Sequence, residues 1–277
     1  MTRLSNRAKT TKPQGLVDPW LWAFCLNIDA PLVAVAWQEL FAGLHGVVLR
    51  PADRALLFLA VWAIYTVDRL LDVASGAAPR TLRHAAHAKY RSVLLVALGV
   101  AILSGPFLAL QTLNTKAWVG TLLLGAASLA HLLATAGGEL FGRAKPWKEL
   151  RVGLVFALGC QLIPWSRGGF SMLNPSLLFF AGLCVTNCRL IELWEQSGSS
   201  TPSAKWGWVA LALALGGGLG LLSSWGHDGP AREFGSAVLL GGLALWGISR
   251  SPGLGSETRR GLADVALMSP FLIFIWG

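Results

Sequence analysis

Charge is scarce in this sequence. Only 13% of its 277 residues are Asp, Glu, Lys or Arg, while 54% are hydrophobic; that is about half the charged share of a soluble domain. A soluble globule of this size is excluded. Acids are scarcer than bases, 14 against 23, leaving a net charge of +9. In a soluble protein this balance would suggest a nucleic-acid partner. Here the bases fall in short connections between apolar runs, where they orient a chain in a bilayer, so nucleic-acid binding is not expected. No CxxC pair is present. Cys25, Cys160, Cys184 and Cys188 lie inside apolar stretches and read as small buried hydrophobes, which excludes a disulfide framework and a structural zinc site. A cleavable leader is not expected either. Arg3, Arg7, Lys9 and Lys12 precede the first acid, Asp18, but no short apolar core with a small-residue cleavage site follows. Residues 1–19 therefore read as a basic cytoplasmic tail.

Long apolar runs are abundant. Windows of the roughly 20 residues needed to cross hydrocarbon fall at 31–49, 52–73, 92–113, 117–137, 152–167, 174–195, 206–225, 235–250 and 261–277. The expected fold is all-α: one polytopic membrane bundle of about nine transmembrane helices occupying 20–277. With the tail inside, 18 Lys and Arg lie on the cytoplasmic side and five on the other, namely Arg50, Arg54, Lys116, Arg167 and Arg232. A split that holds loop after loop predicts a multi-pass protein of a cell or inner membrane with its N-terminus in the cytoplasm. Gly216 to Gly218 and the pair Gly241-Gly242 predict close helix packing.

Ionised groups are costly in hydrocarbon, so acids at span ends require a reason. Asp68 and Asp72 close the second span on one helical face at i, i+4. Repelling carboxylates are steadied by a cation, and hard oxygens suit Mg²⁺ whose shell phosphate completes. The alternative is a solvated pair of helix-end acids with Arg69 as partner. Glu192 and Glu195 end the sixth span on the same membrane face, two turns beyond Asn187; Arg189 can instead neutralise Glu192. Arg80, Arg83, His84, His87, Lys89 and Arg91 follow the first cluster, and Arg143, Lys145, Lys148 and Arg151 stand between the fourth and fifth spans. Acids acting through Mg²⁺ and bases acting directly would together hold a diphosphate leaving group.

The order of these motifs resembles the UbiA superfamily of intramembrane prenyltransferases. The shared features are nine helices, the Asp68-Arg69 to Asp72 DxxxD at the end of the second, an acidic site at the end of the sixth, and the basic loop Lys145-Pro-Trp-Lys148-Glu-Leu-Arg151 running into the fifth. Two positions depart from the family pattern: Ile64 stands where its first motif opens with Asn, and Cys188 where its second opens with Asp. The resemblance implies that Asp68 and Asp72, with Asn187, Glu192 and Glu195 at a second site, bind Mg²⁺ and through it a prenyl diphosphate. It further implies phosphate binding by Lys145 or Lys148, with Arg80, Arg83 and Arg151 as additional candidates.

In that chemistry the carbon–oxygen bond to diphosphate ionises, and aromatic walls shield and attract the allylic cation. Trp62, Tyr65 and Trp194 are candidates for such a wall. Asp29 is the leading intramembrane acid among several polar groups that include Gln38, His131, Gln161 and Asp264. The expected activity is Mg²⁺-dependent transfer of the prenyl group to an aromatic or lipid acceptor. The alternative is a UbiA-type terpene synthase in which the substrate's own double bonds capture the cation. A transporter or a non-catalytic protein keeping the fold is the rival from another class. Transport would place its polar residues at the midplane of paired broken helices instead of at one face.

Overall fold

The computed structural model describes residues 26–74, 82–136, 148–169, 171–197, 204–223 and 229–276, which form eleven helices and no strand. In chain order they are α1 (Asp29–Leu44), α2 (Pro51–Ala74), α3 (Leu82–Lys89), α4 (Arg91–Thr112), α5 (Thr115–Ala136), α6 (Lys148–Arg167), α7 (Pro175–Ser197), α8 (Ala204–Ser223), α9 (Gly229–Arg250), α10 (Ser256–Ala266) and α11 (Ser269–Trp276). The all-α class expected from the apolar runs is the class observed. Three stretches, Arg91–Thr112, Thr115–Ala134 and Pro175–Glu195, are long and apolar enough to cross a membrane.

Three boundaries differ from the sequence expectation. The first apolar segment, taken to run to residue 49, stops being helical at Leu44, and Gly46 then adopts φ +65, a conformation that side chains with a Cβ disfavour. The ninth is two helices. Pro270 lacks an N–H to continue the ladder and restricts the residue before it, so the chain breaks between α10 and α11. The carbonyl of Leu267 at that break accepts a 2.8 Å hydrogen bond from Trp37 Nε1 of α1. Finally, the basic stretch after α2 contains the short helix α3. Its His87 is fully buried and hydrogen-bonded at 3.0 Å to Asn27 Nδ2. His87 is thereby committed to the entry of α1 and is not available to an anion.

The core lies where α1, α7 and α9 meet. Trp37 stacks on Phe180 with ring centroids 4.1 Å apart, Phe234 packs edge-on to Trp37, and Phe41 packs against both Phe180 and Phe234. Such ring pairs contribute about 0.5–1.5 kcal/mol each beyond the area they bury. Helices α4 and α5 stand at the periphery, α4 against α2 and α5 against α6. Their outward faces are apolar, with Val96, Leu103, Phe107, Leu110, Leu122 and Leu123 all exposed.

Helices α8 and α9 approach closely through glycine. A Cβ on Gly242 would lie 2.8 Å from the Ala210 carbonyl oxygen and 2.8 Å from Ala214 Cβ, and one on Gly217 would lie 2.9 Å from the Leu239 backbone nitrogen. Backbone cannot move aside as a side chain can, so added volume forces the helices apart, at about 1–3 kcal/mol for overpacking. Gly242→Val is expected to lower the thermal unfolding midpoint by several degrees, whereas Gly247→Ala, with nothing within 4 Å of its Cβ position, should leave it nearly unchanged. Equal midpoints for the two variants would show that the contact carries no stability.

At the start of α2 a second polar cluster ties three helices together. Asp53 is fully buried. Its carboxylate accepts hydrogen bonds from Arg167 Nη1 at 2.6 Å and Nη2 at 2.8 Å, and another from the Arg50 backbone N–H at 2.8 Å. Both arginines also donate to the Thr112 carbonyl at the end of α4. Arg54 pairs with Glu39 nearby.

Candidate functional site

At the opposite end of α2, five helices surround a cavity of about 250 Å³. Helical periodicity brings the lining together. Tyr65, Asp68 and Asp72 of α2 repeat at intervals of three and four, Asn187, Ile191 and Glu195 of α7 at intervals of four, and Arg260 and Asp264 of α10 stand one turn apart. His131 of α5 and Lys148, Glu149 and Val152 at the start of α6 complete the wall, with Arg69, Cys188 and Glu192 beside their neighbours. The two acidic clusters expected from sequence, at the ends of separate helices, line this one cavity.

Most of the acids are already neutralised. Arg69 pairs with Asp72 at 3.0 Å, Arg189 with Glu192 at 2.6 Å and with Glu149 at 3.5 Å, and Arg260 with Glu195 at 2.6 Å. The i, i+3 pairs of Arg69 and Arg189 are the structural alternatives that the spacing had allowed. Asp68 has no ion-pair partner among the described residues; His131 stands within its electrostatic reach. Six carboxyl groups, from Asp68, Asp72, Glu149, Glu192, Glu195 and Asp264, line the cavity against three cations, Arg69, Lys148 and Arg260. An excess of carboxylate repels an anion unless a metal cation intervenes.

Asp68 and Asp72 are the side chains that could hold a Mg²⁺ ion, Asp72 only by sharing its carboxylate with Arg69. That ion takes hard oxygens and is held in substrate complexes by one or two carboxylates, with water and phosphate oxygens supplying the rest. No three His, Cys, Asp or Glu side chains among the described residues cluster tightly enough to form an all-protein metal cage, a requirement Mg²⁺ does not impose. The α7 cluster has a different character. Glu192 and Glu195 are each bound to an arginine, and Asn187 Nδ2 donates to Asp264 Oδ1 at 3.4 Å.

A smaller chamber of about 50 Å³ continues inward, sharing Tyr65, Val152, Asn187, Cys188 and Asp264 with the outer cavity. Asp29 and Phe156 line it as well. Asp29, which the sequence singled out as an intramembrane acid, thus lines a chamber that shares five wall residues with the outer cavity. Trp62 and Trp194 do not. Trp62 Nε1 donates to the Leu26 carbonyl at 3.1 Å, and Trp194 is buried in the hydrophobic core, so Tyr65 is the member of the expected aromatic wall that lines the cavity. Arg151 is absent from the lining although it lies within electrostatic reach of His131. Arg80, Lys145 and the side chain of Arg83 lie outside the described residues.

Three lining residues carry roles that sequence reasoning did not assign. Glu149 was hidden beside Lys148 in a segment read for its bases. Arg260 was counted only toward the charge bias of the loops, and Asp264 was noted alone; their i, i+4 spacing ahead of an apolar run was the available signal. Burial pushes the Glu149 carboxyl above the usual carboxylate range, and a hydrogen bond shared with Glu192 adds to the effect. The raised value favours the neutral acid in the folded state, so its contribution is fully present below the unfolded-chain value and is lost as pH rises through the folded one. Glu149→Gln, which keeps a donor toward Glu192, is therefore expected to raise the unfolding midpoint by a few degrees at pH 8 and to leave it unchanged near pH 4. A gain of equal size at both pH values would argue against the shift.

No family model matches this chain, and no curated protein or solved structure matches it.

Proposed function

We propose that the protein is a multi-pass, integral-membrane, Mg²⁺-dependent enzyme of the UbiA type that ionises a prenyl diphosphate and passes the prenyl group to an aromatic or lipid acceptor. Nine apolar windows in the sequence support the multi-pass reading, and among the described residues Arg91–Thr112, Thr115–Ala134 and Pro175–Glu195 are long and apolar enough to cross a membrane. The bias of bases toward one end gives the orientation, with the N-terminus and the active-site face in the cytoplasm. Exposed apolar faces such as those of α4 and α5 would meet lipid.

One observation carries the reading. Carboxylates from α2, α6, α7 and α10 converge on one cavity together with Lys148, Arg69 and Arg260, and the space narrows inward past Tyr65 to Phe156. Asp68 and Asp72 would hold Mg²⁺, which neutralises charge developing on the departing diphosphate. Lys148 supplies a direct cationic contact to phosphate oxygens, and Arg260 can exchange Glu195 for phosphate. Tyr65 and Phe156 line the inner chamber, where aromatic rings would attract a cation released toward it. At about 250 Å³ the outer cavity lies just under the roughly 300–1,000 Å³ of common ligand pockets. It suits the diphosphate and the first part of a prenyl chain, the remainder lying along the helices.

A second reading, cyclisation of the prenyl chain by its own double bonds, is favoured by the small inner chamber, which has no room for an aromatic acceptor. Purified protein in detergent or lipid, given Mg²⁺ and prenyl diphosphates of increasing length with and without acceptors, is expected to release inorganic diphosphate only when Mg²⁺ is present. A cyclic hydrocarbon formed without acceptor would select the second reading. The absence of release from every chain length and every acceptor would overturn both and leave a non-catalytic protein.

A further inference from the structure

The inner chamber holds polar groups with no evident duty in metal or diphosphate binding. Asn187 is 5% exposed and lines both parts of the cavity, yet its Oδ1 accepts no hydrogen bond among the described residues. Its Nδ2 is turned to Asp264. A buried amide oxygen left without a donor costs about 1–3 kcal/mol, so a donor belongs at this position. Asp29, 3% exposed, and Asp264 line the same chamber, and the Tyr65 hydroxyl lies within electrostatic reach of both. All these groups converge on a space whose remaining wall is apolar.

Size decides what the donor is. A cavity that binds a benzene-sized ring measures about 150 Å³, whereas a water molecule needs about 10–15 Å³ together with two to four polar partners. The chamber of about 50 Å³ admits water and excludes a phenol or quinone ring. We infer that the inner chamber is a water site, and that this water is the nucleophile that captures the cation, making the product an alcohol. The inference rests on the ionisation of a prenyl diphosphate proposed above and puts water in place of the aromatic or lipid acceptor.

The step balances without any further reagent. The bond between the allylic carbon and the diphosphate oxygen breaks, and its electron pair leaves on diphosphate. A lone pair of the water oxygen forms the new carbon–oxygen bond. The proton released passes to the Asp29 carboxylate and from there to solvent. Asn187 Oδ1 accepts a hydrogen bond from the waiting water and orients a lone pair toward the outer cavity, where Tyr65 and Cys188 border both spaces.

The test is turnover in H₂¹⁸O with Mg²⁺ and prenyl diphosphate, without added acceptor, scoring diphosphate release and product together against a protein-free blank. The wild type is expected to form an alcohol carrying one ¹⁸O atom for each diphosphate released. Asn187→Leu and Asp29→Asn are expected to lower the ratio of alcohol to hydrocarbon by about tenfold or more, a change of about 1.4 kcal/mol in relative barriers. That ratio is independent of how fast diphosphate leaves. Diphosphate release with an unlabelled hydrocarbon as the wild-type product would overturn the water site while sparing the ionisation reading. No release from any substrate would overturn both, and the wild-type label decides the matter even where a variant fails to fold.

Discussion

Replacing Asp68 with Ala should reduce diphosphate release from a prenyl diphosphate by at least about 10³-fold at saturating Mg²⁺, the scale on which metal and electrostatic stabilisation of developing charge acts. Asp68 is singled out by its surroundings. Of the two acids that close α2, Asp72 is already neutralised by Arg69 at 3.0 Å, while Asp68 has no ion-pair partner among the described residues. Most acids around the cavity are held by an arginine, and Asp68, without an ion-pair partner among the described residues, is the acid best placed to hold a metal that enters with the diphosphate. Asp72→Ala should cost less, because it frees Arg69 to face the phosphate. The Asp68→Ala protein should fold normally, since the residue sits at a helix end on a cavity wall and surface-like changes of this kind shift stability by about 0.5 kcal/mol or less. Raising Mg²⁺ should restore part of the Asp72→Ala rate and little of the Asp68→Ala rate. A variant of Asp68 that releases diphosphate at the wild-type rate with an unchanged Mg²⁺ dependence would remove the metal from the mechanism.

The second large effect lies at the far end of the same helix and concerns stability. Asp53→Leu should lower the unfolding midpoint by roughly 10 °C, from the 3–5 kcal/mol that follows when one partner of a buried ion pair is lost. The carboxylate binds Arg167 through both oxygens, and Arg50 donates to it as well. Removing it leaves two guanidinium groups repelling each other at the end of α4, that of Arg167 largely buried and that of Arg50 half exposed. The double variant Asp53→Leu/Arg167→Met should recover much of the loss, since an apolar pair of similar volume replaces buried charges at little cost. A double-mutant cycle separates the pair from the rest of the cluster. Lack of recovery would mean that Arg167 contributes through the Thr112 carbonyl, to which it donates at 2.8 Å, more than through Asp53. Retained diphosphate release per folded molecule in these variants would confirm that this end of the bundle is structural.

Much of the architecture was readable one residue at a time. Apolar windows set where helices form, and Asp68 with Asp72, and Glu192 with Glu195, were placed on single helical faces by the 3.6-residue repeat alone. Local spacing even offered the partners, Arg69 for Asp72 and Arg189 for Glu192. Helix breaks were harder to read. Gly46 ends the first segment early, and the Leu267 carbonyl finds its donor in Trp37, 230 positions away; no window of sequence contains both. Trp62 and Trp194 were plausible cavity walls by their nearness to the acids, but rotation about the helix axis turns one toward Leu26 and the other into the core.

Composition and pattern by themselves determined the helical class, the scarcity of charge and the gathering of acids at particular helix ends, because these follow from hydropathy and helical period within a few turns of chain. Only the tertiary structure decided that both acidic clusters line one cavity, that Glu149, Arg260 and Asp264 belong to it, and that Asn187 looks into a chamber the size of a few waters. Those facts depend on which helices are neighbours and how each is rotated. That is set by long-range packing, such as the ring stack of Trp37 on Phe180 and the close approach at Gly242, and not by any property local to the residues concerned.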